Sequence, residues 1–259
     1  MDAYNFEIIP ELTEEEKKSP YASFYYIPVG KPLPHIYEAI QPGRQMDPAL
    51  AINLEDPEDV KKMFLPEGIP CKNGWCVMPD GTGFSAIETP MPEVTPEIDD
   101  WWFSWFTASD LNYKIWLPKL HFRHKSPIYE DLGWGPLYLT SMKQLTPEML
   151  GIKNPKELDP DFIGMQAPSL ECVSADNPDA PTHYAILIHC IKRMEGGGIR
   201  FQTLVYTGVK WEDGKLVRMI PENETVDPER VRLFATHNAY EFARKAEILP
   251  GLYKLSKTL

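Results

Sequence analysis

The sequence predicts an α+β fold in which an antiparallel sheet holds a long C-terminal helix beside an internal cavity. Strongly apolar segments at residues 182–193 and 199–211 are separated by three glycines, and residues 215–220 follow a further turn. This succession is typical of an antiparallel meander. A helical pattern then starts after Asp227 and continues to about Ile248. A helix that follows a meander buries its apolar stripe against the sheet, which gives the α+β class.

Local signals mark both ends of the predicted C-terminal helix. Asp227 is a typical N-cap residue, Pro228 suits the first helical position, and Glu229 adds an acid to the first turn. At the other end Pro250 and Gly251 follow the last apolar positions. Because proline interrupts the helical hydrogen-bond ladder, we predict that the helix stops at this pair.

The middle of the chain gives weaker signals. Residues 101–106 are densely aromatic and suit either a buried helix or a strand, since periodicity alone does not decide between them. Residues 112–117 are predicted to form a short strand that Pro118 stops, and residues 137–142 alternate weakly, as a strand does. Residues 146–151 predict a single helical turn with a terminal glycine.

The first third of the chain differs in character from the rest. Prolines interrupt any long element within residues 1–97, although Thr13 and Glu16 form a capping-box pattern for a short helix. We therefore predict an irregular N-terminal arm over residues 1–97, packed on a catalytic core at residues 98–259. The arm is rich in aromatic residues, and a dimer interface formed by it is compatible with every function considered below.

Composition limits the classes of partner. The chain has 259 residues and a formal net charge of −12, which disfavours a nucleic-acid partner because phosphates would be repelled. No apolar run approaches the roughly 18 residues that span a bilayer. The acidic N-terminus lacks the basic start and apolar stretch of a secretory signal. We therefore expect a soluble cytoplasmic protein without a membrane partner.

The cysteines predict no disulfide framework. A chain of this length builds its core without disulfides. Cys71 and Cys76 flank a tight-turn signal at Asn73 and Gly74, which resembles half of a zinc ribbon. No second close pair follows, so we expect reduced cysteines beside a hairpin.

A first candidate metal-binding pair lies on the C-terminal helix. His237 and Glu241 are four positions apart and therefore share one face of the helix. Imidazole nitrogen and carboxylate oxygen are both zinc ligands. Phe234 lies near this face, whereas Arg244 and Lys245 argue against full burial at its C-terminal end. An exposed His–Glu pair with no metal is the alternative interpretation.

A second pair of candidate ligands precedes the meander. His121 is followed nine positions later by Glu130. A metal site needs three or four ligands from separate elements. The two pairs together would supply two imidazoles and two carboxylates, a set that suits zinc best, with manganese or iron as alternatives.

Three further residues have side chains that suit hydrogen bonding in a pocket. Tyr113 precedes His121 by eight positions, His189 lies on the first strand of the meander, and Tyr206 lies on the next strand. Taken singly, each is better explained as a core residue whose polar group has a partner.

Several segments, in this order, resemble the 2,4-diacetylphloroglucinol hydrolase family, which also includes phloretin hydrolase. The resemblance covers roughly residues 85–255 and lies in residues 101–105, 112–121, 129–133, 196–206 and 237–253. It implies a helix-grip fold like that of the birch-pollen allergen and START domains. It also implies one zinc ion per chain, bound by His121, Glu130, His237 and Glu241.

The resemblance further implies how a phenolic substrate is bound. Tyr113, His189 and Tyr206 match the tyrosine, histidine and tyrosine that contact phenolic hydroxyls in the family. His124 stands where the members that cleave 2,4-diacetylphloroglucinol carry an asparagine. The segment from His121 to Glu130 is also shorter than in those members. Both differences favour another acylphenol as the substrate, with His124 as a candidate proton relay.

The expected activity is hydrolysis of the carbon–carbon bond between a phloroglucinol-type ring and its acyl group. The partner would be a small phenolic ketone, and the products a phenol and a carboxylic acid. Two alternatives stay open at this point. One is a non-catalytic helix-grip carrier of an aromatic ligand. The other is a different polyphenol-converting metalloenzyme on the same scaffold.

Overall fold

The computed structural model describes most of the chain. The described residues are 4–65, 68–125, 128–131, 135–143, 159–174, 177–212 and 215–259. The helical turn predicted at residues 146–151 lies outside them. Within these residues the α-helices are α1 (Ala22–Tyr25), α2 (Pro34–Ala39), α3 (Pro57–Lys61), α4 (Pro96–Phe106), α5 (Asp110–Trp116) and α6 (Pro228–Ser256). Short 3-10 helices occupy Glu16–Lys18 and Pro48–Leu50.

The strands form a large antiparallel sheet and a small one. They are β1 (Gly74–Val77), β2 (Gly83–Met91), β3 (His121–Lys125), β4 (Ile128–Asp131), β5 (Gly135–Lys143), β6 (Phe162–Ser174), β7 (Asn177–Arg193), β8 (Ile199–Thr207), β9 (Val209–Glu212) and β10 (Lys215–Arg218). In the part of the chain described, eight strands pair in the order β1-β2-β8-β7-β6-β5-β4-β3, and β9 pairs with β10. An antiparallel sheet with a long C-terminal helix confirms the α+β class.

The meander predicted in the second half is confirmed, with one correction. Strands β7 and β8 pair from Ala185↔Thr207 to Arg193↔Ile199. The turn between them includes Gly198, whose positive φ of 76° is a conformation that glycine adopts without strain. The segment predicted as one strand at residues 199–211 is two strands, because Gly208 breaks it at a φ of 84°.

Helix α6 packs on one face of the large sheet. Alternate residues of β8 point toward it, so that Phe201 packs with Phe242 and Val205 packs with Phe234. On β2, Ile87 packs in the same cluster as Val231, Ala235 and Ala239 of α6. The face of α6 that carries these apolar residues therefore lies on the inner face of the sheet, where a site would be shielded from water.

Residues of the N-terminal third cover the opposite face of the sheet. Phe64 and Ile52 pack there with Phe84 of β2 and Leu204 of β8. Strands β1 and β2 also belong to this third of the chain, yet they are part of the large sheet, with β2 paired along the full length of β8. The division between an arm and a core at residue 97 stays a prediction, and strands of one sheet lie on both sides of it.

The strand predicted at residues 112–117 is wrong, because this segment is helical. Ser109 caps α5 by accepting a hydrogen bond from the Asn112 amide at 3.1 Å. Asp110 adds a favourable charge at the helix N-terminus. The aromatic segment that sequence alone left open is also helical and forms most of α4, with Thr95 as its capping residue.

The predicted start of the C-terminal helix is confirmed, and its predicted end is wrong. Asp227 accepts a hydrogen bond from the Glu229 amide at 3.0 Å, as an N-cap residue does. The helix continues through Pro250 to Ser256. Leu252 is fully buried and the ring of Tyr253 contacts Trp101, so tertiary packing stabilises the turn that follows the proline.

One smaller expectation is confirmed. Thr13 and Glu16 form the reciprocal capping box, with bonds of 2.9 Å and 3.2 Å. Cys71 and Cys76 are free thiols close to the start of β1. Among the described residues, no helix combines the length and the apolar character that crossing a membrane would require.

Candidate metal centre

Two of the predicted ligands lie one turn apart on the buried face of α6. His237 is 7% exposed and Glu241 is 6% exposed. The Nε2 atom of His237 and the Oε2 atom of Glu241 are 3.5 Å apart. A carboxylate held in such a place needs a cationic partner to offset its desolvation. The alternative interpretation, an exposed His–Glu pair, is therefore wrong.

A third predicted ligand, His121, reaches this pair from the start of β3. The chain leaves α5 and turns sharply, with Lys119 at a φ of 73°, a conformation that residues other than glycine rarely adopt. A hydrogen bond of 2.9 Å from the His121 amide to the Leu117 carbonyl closes this turn. His121, which is 1% exposed, is thereby directed toward α6.

The three side chains bring their ligand atoms together at one point. The Nε2 atom of His121 lies 3.2 Å from the Nε2 atom of His237 and 3.6 Å from the Oε2 atom of Glu241. Ligand atoms on a tetrahedral zinc ion, at bonds of about 2.0–2.1 Å, are about 3.3–3.4 Å apart. The buried His–His–Glu cluster therefore could bind a metal ion.

Aromatic contacts fix the orientation of His121. Its ring stacks on Tyr113 with the centroids 4.2 Å apart and the planes 3° apart, and the edge of Trp116 approaches at 4.9 Å. The Nδ1 atom lies 3.3 Å from the Tyr113 carbonyl and can donate a hydrogen bond to it. This tautomer leaves the Nε2 lone pair for a metal, an arrangement common around metal-binding histidines.

Burial also prepares His121 for metal binding. Desolvation, with a further contribution from the neighbouring His237, holds the pKa of His121 well below its ordinary value. A neutral imidazole is the form that binds a metal ion. Trp116 strengthens the site from the other side, since its Nε1 donates a 2.9 Å hydrogen bond to the backbone carbonyl of Glu241.

The remaining predicted ligand and the predicted proton relay are known only through their backbones. Glu130 lies on β4 and pairs with Arg123, and His124 on β3 pairs with Tyr129. The two strands are adjacent to each other, and β3 begins at His121. The side chains of Glu130 and His124 lie outside the described part of the structure.

His189 lies on the same inner face of the sheet as the His–His–Glu cluster. Its Nδ1 atom is 2.9 Å from the Thr203 hydroxyl on β8. Its ring contacts Phe242 at a centroid distance of 5.7 Å, and Phe242 in turn contacts Trp116 at 5.9 Å. One aromatic side chain thus separates His189 from the residues around the cluster. Burial, together with the charge of Lys245, lowers the pKa of His189 to about 3.

Tyr206 does not lie where its predicted role requires. Residues alternate between faces along a strand, and Tyr206 shares the outer face with Leu204, whereas Thr203 and Val205 face α6. Its hydroxyl donates a 2.9 Å hydrogen bond to the Ile52 carbonyl, and its ring packs on Phe84. Tyr206 is a core residue of the outer face, and the assignment as a phenol-binding residue is corrected.

Comparison with known proteins gives the family. The family model described as the DAPG hydrolase PhiG domain matches residues 54–254. The chain belongs to this family. Phloretin hydrolase from Eubacterium ramulus is 32% identical over 95% of this chain and 93% of its own length. A 2,4-diacetylphloroglucinol hydrolase from a Pseudomonas species is 21% identical over 92% of this chain and 88% of its own.

Another 2,4-diacetylphloroglucinol hydrolase, from Pseudomonas protegens, is also 21% identical over 92% of this chain. The match to the DAPG hydrolase family starts at residue 54, ahead of β1, and so extends further toward the N-terminus than the segment that carries the sequence resemblance. It therefore includes β1 and β2 as well as the elements that carry His121, His237 and Glu241.

One feature beside the His–His–Glu cluster was not predicted from the sequence. Arg244 and Lys245 were expected to limit burial at the end of α6, but they are 1% and 0% exposed. Arg244 donates hydrogen bonds to the carbonyls of Phe24 and Pro28, and Lys245 pairs with Asp99. The spacing of Lys245, four positions after Glu241, is a signal for a shared face, but the distant partner Asp99 has no local signature.

Proposed function

We propose that the protein is a metal-dependent hydrolase that cleaves the carbon–carbon bond between a phloroglucinol-type ring and its acyl side chain. The buried cluster of His121, His237 and Glu241 is the observation that carries this proposal. Family membership, and the 32% identity to a phloretin hydrolase over nearly the whole chain, supports a phloretin-like ketone as the substrate.

Zinc is the proposed metal, with one ion per chain. Two imidazoles and a carboxylate form a donor set of intermediate softness, which suits zinc. Glu130 is the proposed fourth ligand, on the strand adjacent to that of His121. When bound, the ion supplies charge stabilisation for the acyl oxygen and lowers the pKa of a water molecule toward neutrality.

The substrate supplies part of the chemistry. Cleavage of an aryl ketone would ordinarily expel an aryl carbanion. A trihydroxyphenyl ring avoids this, because a proton added at the acylated ring carbon gives a keto tautomer. Addition of water to the acyl carbon then releases the ring as a stabilised enolate. The ketone and one water molecule become a phenol and a carboxylic acid, so the atoms balance.

The protein's residues bind the ring and manage its protons. Tyr113 and His189 are proposed to hydrogen-bond the phenolic hydroxyls, and His124 is a candidate for the ring-proton relay. Tyr113 is 3% exposed and stacks on His121, which would bring a bound phenol close to the metal ligands. Tyr206 has no part in this proposal, because its hydroxyl is bound to Ile52 on the other face.

A product assay tests the proposed function. The purified protein is incubated with phloretin, with 2,4-diacetylphloroglucinol and with acetophenone, and the products are identified by mass spectrometry. Phloretin should give phloroglucinol and 3-(4-hydroxyphenyl)propionate, whereas acetophenone, which lacks the ring hydroxyls, should stay intact. Failure to cleave any acylphloroglucinol by a protein that carries stoichiometric metal would refute the reaction class and favour a carrier.

A further inference from the structure

A buried ion pair lies next to the proposed metal site. Lys245 follows Glu241 by one helical turn, and His237, Glu241 and Lys245 thus form one stripe along the inner face of α6. The Nζ atom of Lys245 is 2.5 Å from the Oδ1 atom of Asp99 in α4. Lys245 is fully buried and Asp99 is 3% exposed.

Aromatic rings surround the ammonium group and connect it to His189. The Nζ atom lies 4.2 Å from the ring centroid of Phe201 and 5.9 Å from that of Phe242. The ring of His189 packs on these same two phenylalanines, at 5.3 Å and 5.7 Å. The positive end of the pair therefore lies on the side of His189, across Phe201 and Phe242, and its negative end lies on α4.

Stability alone does not account for this pair. Replacing a buried ion pair by apolar residues of similar volume is often neutral or stabilising. Helices α4 and α6 are already joined in one apolar cluster that includes Trp102, Ile248 and Leu249. Loss of both charges would therefore leave most of the contact between the two helices intact.

The charge of Lys245 interacts with two residues of the proposed site, His189 and Glu241. It is one cause of the lowered pKa of His189, and Glu241 in turn acts on Lys245. Burial lowers the pKa of Lys245, while Asp99 opposes this effect. The charged groups in these interactions are Lys245 and Glu241 on α6 and Asp99 on α4.

We propose that Lys245 is a specificity-determining residue, whose buried ammonium group makes the proposed substrate site at His189 select the ionised, phenolate form of the substrate ring. This inference rests on the proposed function. A charge fixed in a region of low dielectric needs no reorganisation during the reaction, so it favours the negative charge that the ring carries as the acyl bond breaks. Acylphenols with more acidic ring hydroxyls should therefore be the better substrates.

The test compares variants that remove this charge. Lys245→Met with Asp99→Asn removes both charges at nearly constant volume. Its kcat should fall roughly tenfold and its KM should rise, because the ionised ring loses this interaction both in the bound state and in the transition state. The acid limb of the pH profile of kcat should move upward by about one pH unit. In Lys245→Met alone, the negative charge of Asp99 has no cationic partner, so the acid limb should move to still higher pH.

A matched control pair lies on the outer face of the sheet. The Nζ atom of Lys192 is 2.7 Å from Asp159, and both side chains are largely buried. Lys192→Met with Asp159→Asn should keep the wild-type pH profile. Metal content and thermal unfolding are measured for every variant.

Two results would overturn the inference. One is a folded, metal-loaded double variant with the wild-type kcat and acid limb. The other is a double variant that no longer folds, because the pair would then be a structural requirement. In both cases the wild-type enzyme is active. If the proposed function itself were wrong, the wild-type protein would cleave no acylphenol.

Discussion

At the residue scale, the site depends on how single side chains are fixed. His121 is oriented by the Tyr113 ring on one side and the Trp116 edge on another, and its Nδ1 atom approaches a backbone carbonyl. These contacts direct Nε2 toward His237. Preorganisation of this kind lowers the cost of binding, since little conformational freedom is lost afterwards.

Two tyrosines that look equivalent in sequence should behave differently. Tyr206→Phe removes the hydrogen bond to Ile52, which should lower the free energy of unfolding by about 1 kcal/mol and leave kcat/KM within about twofold of wild type. Tyr113→Phe should lower kcat/KM by about tenfold or more, because this hydroxyl is proposed to bind the substrate. Denaturant unfolding and steady-state kinetics measure both. An equal loss of activity in Tyr206→Phe would contradict the corrected assignment.

The pH dependence of stability should reflect His189. Burial lowers its pKa to about 3, whereas an unfolded chain titrates near pH 6.5. Between these values the unfolded state binds more protons, so the free energy of unfolding decreases as the pH falls. Between pH 7 and pH 5 this contribution is about 2 kcal/mol, and it should be absent in His189→Gln.

Denaturant unfolding at the two pH values measures this difference. His35→Gln serves as the control, since His35 is exposed on α2. An unchanged pH dependence in His189→Gln would show that this imidazole is not held neutral in the folded protein.

At the element scale, local signals predicted where elements begin better than where they end. The cap at Asp227 requires only neighbouring residues, and it is found as predicted. The helix passes Pro250 because buried Leu252 and the contacts of Tyr253 stabilise its last turns, and no local pattern encodes those contacts. For α5 the apolar, β-prone composition pointed to a strand, but the cap at Ser109 and packing against α6 and α4 favour a helix.

The approach of α6 to the sheet depends on a glycine. A Cβ atom at Gly83 of β2 would lie 2.4 Å from the Val231 side chain of α6. Gly83→Ala should therefore lower the free energy of unfolding by about 1–3 kcal/mol through overpacking. Gly30→Ala, with no atom within 4 Å of its added Cβ, should stay within about 0.5 kcal/mol of wild type. Equal effects of the two substitutions in denaturant unfolding would argue against this close packing.

At the scale of the whole molecule, long-range pairing was the hardest feature to predict. The insertion of β2 next to β8 joins segments more than 100 residues apart, and nothing in the N-terminal sequence specifies that partner. The cluster of His121, His237 and Glu241 was predicted because helical spacing and the family resemblance agreed. Tyr206 was misassigned because a shift of one residue along a strand exchanges the two faces of the sheet.

The central claim is that side chains from two distant segments bind one catalytic metal ion. The direct measurement is the metal content and phloretin cleavage of the chelated and zinc-reconstituted wild type, beside His237→Ala and Glu241→Ala. His35→Ala, at an exposed position, is the matched control. We predict about one zinc ion per chain and restored turnover for wild type and control, with loss of both in the two ligand variants. Stoichiometric zinc and full turnover in both ligand variants would contradict the account.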